Sequence, residues 1–173
     1  MVHDFSDGLD LEEKASPLLD SWYRNTFKNL LNIINVTKER FFQNVGIDKF
    51  LVFKCPDIAK IVYFSVDEKA RNYPYDDLLA EIWSQKEKEI PGWVWTCKAD
   101  YIVYAFVIKG ELSGTPRIIP TVDFVSAIKT KEYREKETKT ATANEEWKTV
   151  FKLIPNEDLP SKPPHKLRLE DFT

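Results

Sequence analysis

The sequence predicts a mixed α/β domain of α+β character, with a central mixed β-sheet flanked by helices. Three observations lead there: a helical apolar period near the N-terminus, a series of mostly consecutive strand-like runs, and a second helical stretch before a last strand pair. Residues 1 to 10 read as acidic and irregular. From Leu11 the apolar residues Leu18, Leu19, Trp22, Tyr23, Phe27, Leu30, Leu31 and Ile34 recur at three- and four-residue steps, the signature of an amphipathic helix with one buried face. Its start is open between a first turn at Ser16-Pro17 and one at Asp10, which would bring Glu12 and Glu13 near the helix N-terminus.

Next come two runs rich in β-branched and aromatic residues, Phe50 to Phe53 and Ile58 to Val66, on either side of Pro56-Asp57, and these predict a β-hairpin. Arg71 to Tyr75 is turn-like, Leu78 to Trp83 reads equally as helix or short strand, and Pro91-Gly92 is a break. Trp93 to Thr96 follows, and then Tyr101 to Ile108, the clearest central strand, with Asp100 at its start. Val122 to Arg134 is expected to be helical, capped by Thr121 and with Asp123 in its first turn. Lys139 to Asn144 and Lys148 to Ile154 make a final strand pair. Residues 1–155 are thus expected to form one domain, and 156–173, with Pro160, Pro163 and Pro164, an extended and partly mobile tail.

A chain of 173 residues that is 43% hydrophobic and 13% aromatic suffices for one real core. The formal net charge of −3 excludes a wholly basic nucleic-acid binder, so DNA contact would need a local patch. With five glycines and no phosphate-cradling loop, a nucleotide-triphosphate or dinucleotide fold is disfavoured. Cys55 and Cys97 are far apart, and His3 and His165 lie near the termini, which argues against structural zinc. No signal peptide or membrane-length apolar run is visible, so the expectation is a cytoplasmic protein with free thiols. Asn35-Val36-Thr37 matches a glycosylation sequon, which has no meaning without secretion.

Chemistry concentrates at the hairpin. With its turn at Pro56 to Ala59, antiparallel pairing sets Asp48 opposite Asp67. Lys69 shares the face of Asp67 because side chains alternate along a strand, and Glu68 points the other way. Two carboxylates and an ammonium in one place suit a bound Mg²⁺ and an oriented water. An acidic residue, any residue and then lysine occurs four times here, so the tripeptide Asp67-Glu68-Lys69 means little alone. Its place at the end of an apolar strand, across from a second aspartate, separates it from the others; the competing reading is a solvated hairpin rim. Asp57, at the tip, lies about nine strand residues or roughly 30 Å from Asp67, too far to act with it.

A helix followed by a hairpin that delivers Asp and then Asp-x-Lys resembles the PD-(D/E)XK nuclease superfamily, whose core is the restriction-endonuclease-like fold. The segments carrying the resemblance are Gln43 to Asp48, Val66 to Ala70, Asp77 to Ser84, Pro91 to Trp93 and Cys97 to Phe106, within residues 10 to 155, and they resemble phage- and plasmid-borne members. The resemblance implies Mg²⁺, with Mn²⁺ as a substitute, held by Asp48, Asp67 and the backbone carbonyl of Glu68. Lys69 would orient or activate the attacking water or stabilise transition-state charge. A further acid is expected from the first helix, with Glu12 or Glu13 and equally Asp20 as contenders. Glu81 is another, set against an ordinary helix-surface charge.

Lys86, Lys88 and Lys98 are candidate phosphate contacts, and Trp93 and Trp95 either stack on unpaired bases or serve as core or dimer contacts. Thr140, Thr142 and Asn144 either face a phosphate or form an exposed sheet edge. The implied activity is hydrolysis of DNA, duplex or branched, in a bacterial cell or phage-infected host, by an enzyme that leans towards a homodimer. The alternative is a non-catalytic DNA-binding or protein-interaction protein of the same fold. No helix carries an arginine and asparagine array for reading the major groove.

Overall fold

In a computed structural model the chain is described over residues 2–55, 60–141 and 145–159, with side chains described from residue 10 onward except at 55 and 141. Strand β1 (Val2–Asp4) leads directly into helix α1 (Phe5–Thr26), then β2 (Leu30–Asn35), a short helix α2 (Arg40–Gln43), β3 (Lys49–Cys55) and β4 (Lys60–Arg71). They are followed by β5 (Asp77–Gln85), β6 (Ile90–Pro91), the helical turn α3 (Trp93–Thr96), β7 (Tyr101–Ile108), β8 (Glu111–Leu112) and β9 (Arg117–Pro120). Helix α4 (Thr121–Thr130), β10 (Glu135–Ala141) and β11 (Glu146–Pro155) complete the order. Among the described residues no helix is long and apolar enough to cross a membrane.

The fold is mixed α/β, and its strands divide between two sheets, in the orders β1-β10-β11-β5-β6 and β2-β3-β4-β7-β8, with β9 also paired to β7. Most pairings are antiparallel; β4 with β7 and β1 with β10 are parallel. Strand β7 is buried on both faces, as its unbroken apolar run requires. On one side Tyr101, Val103 and Ala105 pack with Phe64 and Val66 of β4 against Leu19, Tyr23 and Phe27 of α1. On the other, Ile102 and Tyr104 join Leu78, Ala80 and Ile82 of β5, Val150 and Ile154 of β11, and Phe124 and Ile128 of α4. The middle of β4 therefore has a helix over one face and the second sheet towards the other.

Several sequence expectations are corrected. The first helix ends at Thr26, and Leu30, Leu31 and Ile34 belong to β2, paired with β3. Their helical spacing is coincidental, since Leu31 and Ile34 are 51% and 45% exposed and form no buried stripe, while Asn29 and Asn32 favour leaving a helix. The helix starts at Phe5, not at Asp10 or Ser16, with Pro17 inside it, and residues 2–4 are a strand rather than irregular. Leu78 to Trp83, which reads equally as helix or strand in the sequence, lies in strand β5. The second helix ends at Thr130, short of Arg134, where the Thr130 hydroxyl donates back to the Ser126 carbonyl at 2.8 Å. Thr121 does not cap it: Pro120 holds that position, and the Thr121 hydroxyl is buried without a hydrogen-bond partner.

The hairpin and the central strand Tyr101–Ile108 stand where expected, and β11 contains the expected Lys148 to Ile154, but its partner β10 begins at Glu135 rather than Lys139, in the stretch expected to follow the second helix. Residues 156–158 form a helical turn, and Arg117 donates to the carbonyls of Asn156 at 2.7 Å and Leu159 at 2.9 Å. The hairpin tip with Pro56-Asp57, the positions of Thr142 and Asn144, and residues 160–173 lie outside the described residues.

Candidate active site

The β3–β4 ladder pairs Lys49 with Val66, and one step further along the same register Asp48 faces Asp67. The Asp48 amide donates to the Val66 carbonyl at 2.9 Å, and its carboxylate Oδ2 accepts the Glu68 amide at 2.7 Å. Asp48 thus closes the ladder with its backbone and side chain together. Alternation along β4 then separates three consecutive charges. Asp67 and Lys69 share a face and form an ion pair at 2.7 Å, while Glu68 turns towards α1 and accepts the Tyr23 hydroxyl at 3.0 Å.

Asp67 is 1% exposed, and its second oxygen, Oδ2, is buried with no hydrogen-bond partner. A carboxylate half satisfied in the interior resists ionisation. Burial, with Asp48 and Glu12 nearby, outweighs the help of Lys69 and pushes Asp67 up to about 7. For Lys69 burial works downward but is overcome by Asp67, Glu12 and Asp48, so the ammonium is held well above the usual lysine range. Its Nζ also lies 5.3 Å from the centroid of the Trp93 ring.

Two further carboxylates reach this group. Glu12 of α1 is raised by burial, with Lys69 acting to lower it and Asp48 to raise it further. Glu81 of β5 is raised by burial, with the Trp93 amide and Lys69 acting to lower it and Glu12 to raise it. Gly92 makes that approach feasible: a Cβ there would lie 2.1 Å from the Glu81 carbonyl oxygen, so only glycine lets the start of α3 press against β5. Glu12, Asp48, Asp67 and Glu81 therefore all lie within electrostatic reach of one another or of the Lys69 ammonium. Cys97 closes the floor; its thiol donates to the Gly46 carbonyl at 3.4 Å, and burial together with Asp67 pushes it up to about 12.

Apart from Trp93, whose ring lies beside Lys69, the other predicted positions fall apart from this group. Glu13 is exposed, whereas Glu12 lies three, seven and eleven residues before the buried Ala15, Leu19 and Tyr23. That spacing was the signal favouring Glu12. Asp20 accepts Lys49 Nζ at 2.5 Å, on the α1 side of the hairpin. Lys86 and Lys88 are exposed and ion-paired with Glu137 and Glu145; Lys98 is exposed. Trp93 packs edge-on against Phe124 at 5.4 Å, and Trp95 is 38% exposed, with its indole donating to the Ile82 carbonyl at 3.1 Å. Both tryptophans sit on one helical turn rather than alternating along a strand. The Thr140 hydroxyl is bonded to that of Thr149 at 2.8 Å, and β10 lies between β1 and β11 rather than at a sheet edge. A groove of about 1180 Å³ between β4 and α4, lined by Ile61, Tyr63, Val122 and Lys129, shares Cys97 with the site but does not contain its carboxylates.

The donor set suits a hard divalent cation: all four acids supply oxygen, and Asp67 Oδ2 has an unmet need for a positive partner. Among the described residues no three acidic, histidine or cysteine side chains converge at the spacing that holds a metal ion. In their present rotamers Asp67 turns one oxygen to Lys69, and Asp48 turns one to the Glu68 amide. Comparison with known protein families, with curated proteins and with solved structures yields no match to this chain.

Proposed function

We propose that the chain is a Mg²⁺-dependent nuclease that hydrolyses DNA phosphodiester bonds, with Mn²⁺ able to replace Mg²⁺. The observation that carries the reading is the buried Asp67, one oxygen orphaned and the other on Lys69, amid Asp48, Glu12 and Glu81. Asp48, Asp67 and the Glu68 carbonyl would hold the cation, with Glu12 and Glu81 adding negative charge around it. A bound divalent cation supplies an activated water and a Lewis acid for the phosphoryl oxygens. Lys69, kept protonated by its carboxylate neighbours, serves as a fixed positive charge that steadies the developing oxyanion rather than as a base. Water attacks phosphorus, the bond to the leaving oxygen breaks, and the proton released by water ends on that oxygen or in solvent. A homodimer that brings two sites to one duplex goes with this reading.

A second reading, a DNA-binding or protein-interaction protein without catalysis, has support in the net charge of −3 and in the pairing of Lys86 and Lys88 with glutamates. Cleavage of supercoiled plasmid and of a branched DNA with Mg²⁺ or Mn²⁺, with EDTA and Lys69→Ala alongside, separates the two. Metal-dependent cutting that falls about 10²-fold or more in the variant supports the nuclease. No cutting by a folded protein, or equal cutting by the variant, sinks it and leaves the binder, which salt-sensitive DNA binding would then support.

A further inference from the structure

On the far side of β3 and β4 from the carboxylates lies a second charged cluster that the proposed chemistry does not use. Lys49, next to Asp48 in sequence, is completely buried. Its Nζ contacts Asp20 Oδ1 at 2.5 Å, Glu68 Oε2 at 3.1 Å and the Ser16 carbonyl at 3.1 Å, which accounts for all three of its N–H bonds. Glu68, between Asp67 and Lys69 in sequence, also takes the hydroxyl of Tyr23, itself fully buried. Each strand thus presents consecutive residues to opposite tasks.

Stability alone is a poor explanation for this arrangement. Withdrawing an ammonium and a carboxylate from water is costly, and well-packed apolar residues of similar volume commonly do as well or better. What such a network does supply is geometry. It ties the strands to α1 at Ser16, Asp20 and Tyr23, two successive turns on one side of the helix, through contacts that have directions and lengths. An apolar interface tolerates sliding and rotation more readily. Glu12 lies one helical turn before Ser16, and a rotation of about 100°, one residue of helix, would bring Glu13 round in its place.

We infer that the Lys49, Glu68, Asp20 and Tyr23 network is a positioning element that sets the rotation of α1 over the hairpin and so delivers Glu12 to the carboxylate group on the other side. Resting on the metal-site reading above, this gives these residues a role through Glu12 and through the β4 backbone rather than by contact with substrate. Removing the network without leaving a buried charge exposed to no partner should preserve the fold and loosen the site.

The test uses the full chain without DNA and Mn²⁺ as the probe, titrated by calorimetry and electron paramagnetic resonance, with urea unfolding as the check on folding. Lys49→Met/Glu68→Leu replaces the pair by apolar groups, and Tyr23→Phe is the mild variant that deletes one hydrogen bond. Expected is cooperative unfolding in both variants, with Mn²⁺ affinity about 10-fold or more weaker in the double variant and an intermediate loss in Tyr23→Phe. Glu12→Gln should weaken Mn²⁺ binding in the parent and add nothing in the double variant, a coupling that a purely structural role does not produce. If the double variant does not fold, Tyr23→Phe with and without Glu12→Gln decides by the same coupling. Parent-like Mn²⁺ affinity in the folded variants, with the Glu12→Gln effect intact, overturns the positioning role while leaving the metal site standing. A parent that binds no Mn²⁺ overturns both.

Discussion

Raising the pH from about 4.5 to about 7.5 in EDTA should destabilise the folded chain, and Asp67 should be a main reason. Burial, reinforced by Asp48 and Glu12 and only partly relieved by Lys69, lifts this carboxyl from 3.8 to about 7. Burial likewise lifts Glu68 from 4.5 to about 7, with Lys49 relieving it in part. Between these limits the folded state keeps protons that the unfolded chain has released, so stability is full below the unfolded values and is lost as the pH rises through the folded ones. At about 1.4 kcal/mol per pH unit, a gap of about three units puts a ceiling of about 4 kcal/mol on the Asp67 share. Lys69 does not intrude, because a raised lysine loses its contribution only above the ordinary lysine range. The assay is urea unfolding of the parent and of Asp67→Asn at three pH values across this range. The difference between the two proteins isolates Asp67, and it should narrow the pH dependence by at least about 1 kcal/mol. A parent whose stability is flat or climbs over this interval, or a variant with the parent's slope, would refute the account of Asp67 as a buried carboxyl short of a cation.

Two other outcomes follow from the geometry. Glu12→Gln should slow metal-dependent plasmid nicking about 10²-fold while Glu13→Gln stays near the parent rate, because only the first faces Lys69; initial rates with Mg²⁺ decide it. Gly92→Ala should cost about 2–3 kcal/mol in urea unfolding and also reduce cleavage, since the added methyl meets the Glu81 carbonyl and must displace either α3 or β5. Parent-like stability in that variant would show the contact between Gly92 and Glu81 to be loose.

How far the fold was legible depended on how local its causes are. The hairpin register was readable because two β-branched runs flank one short turn, and the chain arithmetic that sets Asp48 across from Asp67 is the register of the ladder. Strand β7 was readable from eight apolar residues in succession. Strand β2 was not, because Leu30, Leu31 and Ile34 match a helical period by accident and only the edge of β3 makes them a strand. The segment around Glu81 was undecidable for a similar reason: its strand form depends on pairing with β11, about seventy residues later. At the site, the separation of Asp67 and Lys69 from Glu68 followed from strand alternation alone. The choice of Glu12 over Glu13 was legible in its spacing from the apolar stripe of α1, but the burial of Lys49 required its partners on that helix, which a list of nearby residues does not contain.

The first strand of the chain pairs in parallel with β10, through Val2 opposite Lys139 and Asp4 opposite Ala141. Synthesis runs from the N-terminal side, so this strand waits for its neighbour until Ala141 has been made. Helix α1 follows it without a linker, and Glu12 lies about two turns into that helix. The β3–β4 hairpin that carries Asp67 and Lys69 pairs locally in sequence, whereas β1, and through it the start of α1, is anchored on the distant β10. Assembly of the full carboxylate group is thereby tied to the synthesis of β10, and the loss of that strand should reach the site from a part of the chain remote in sequence.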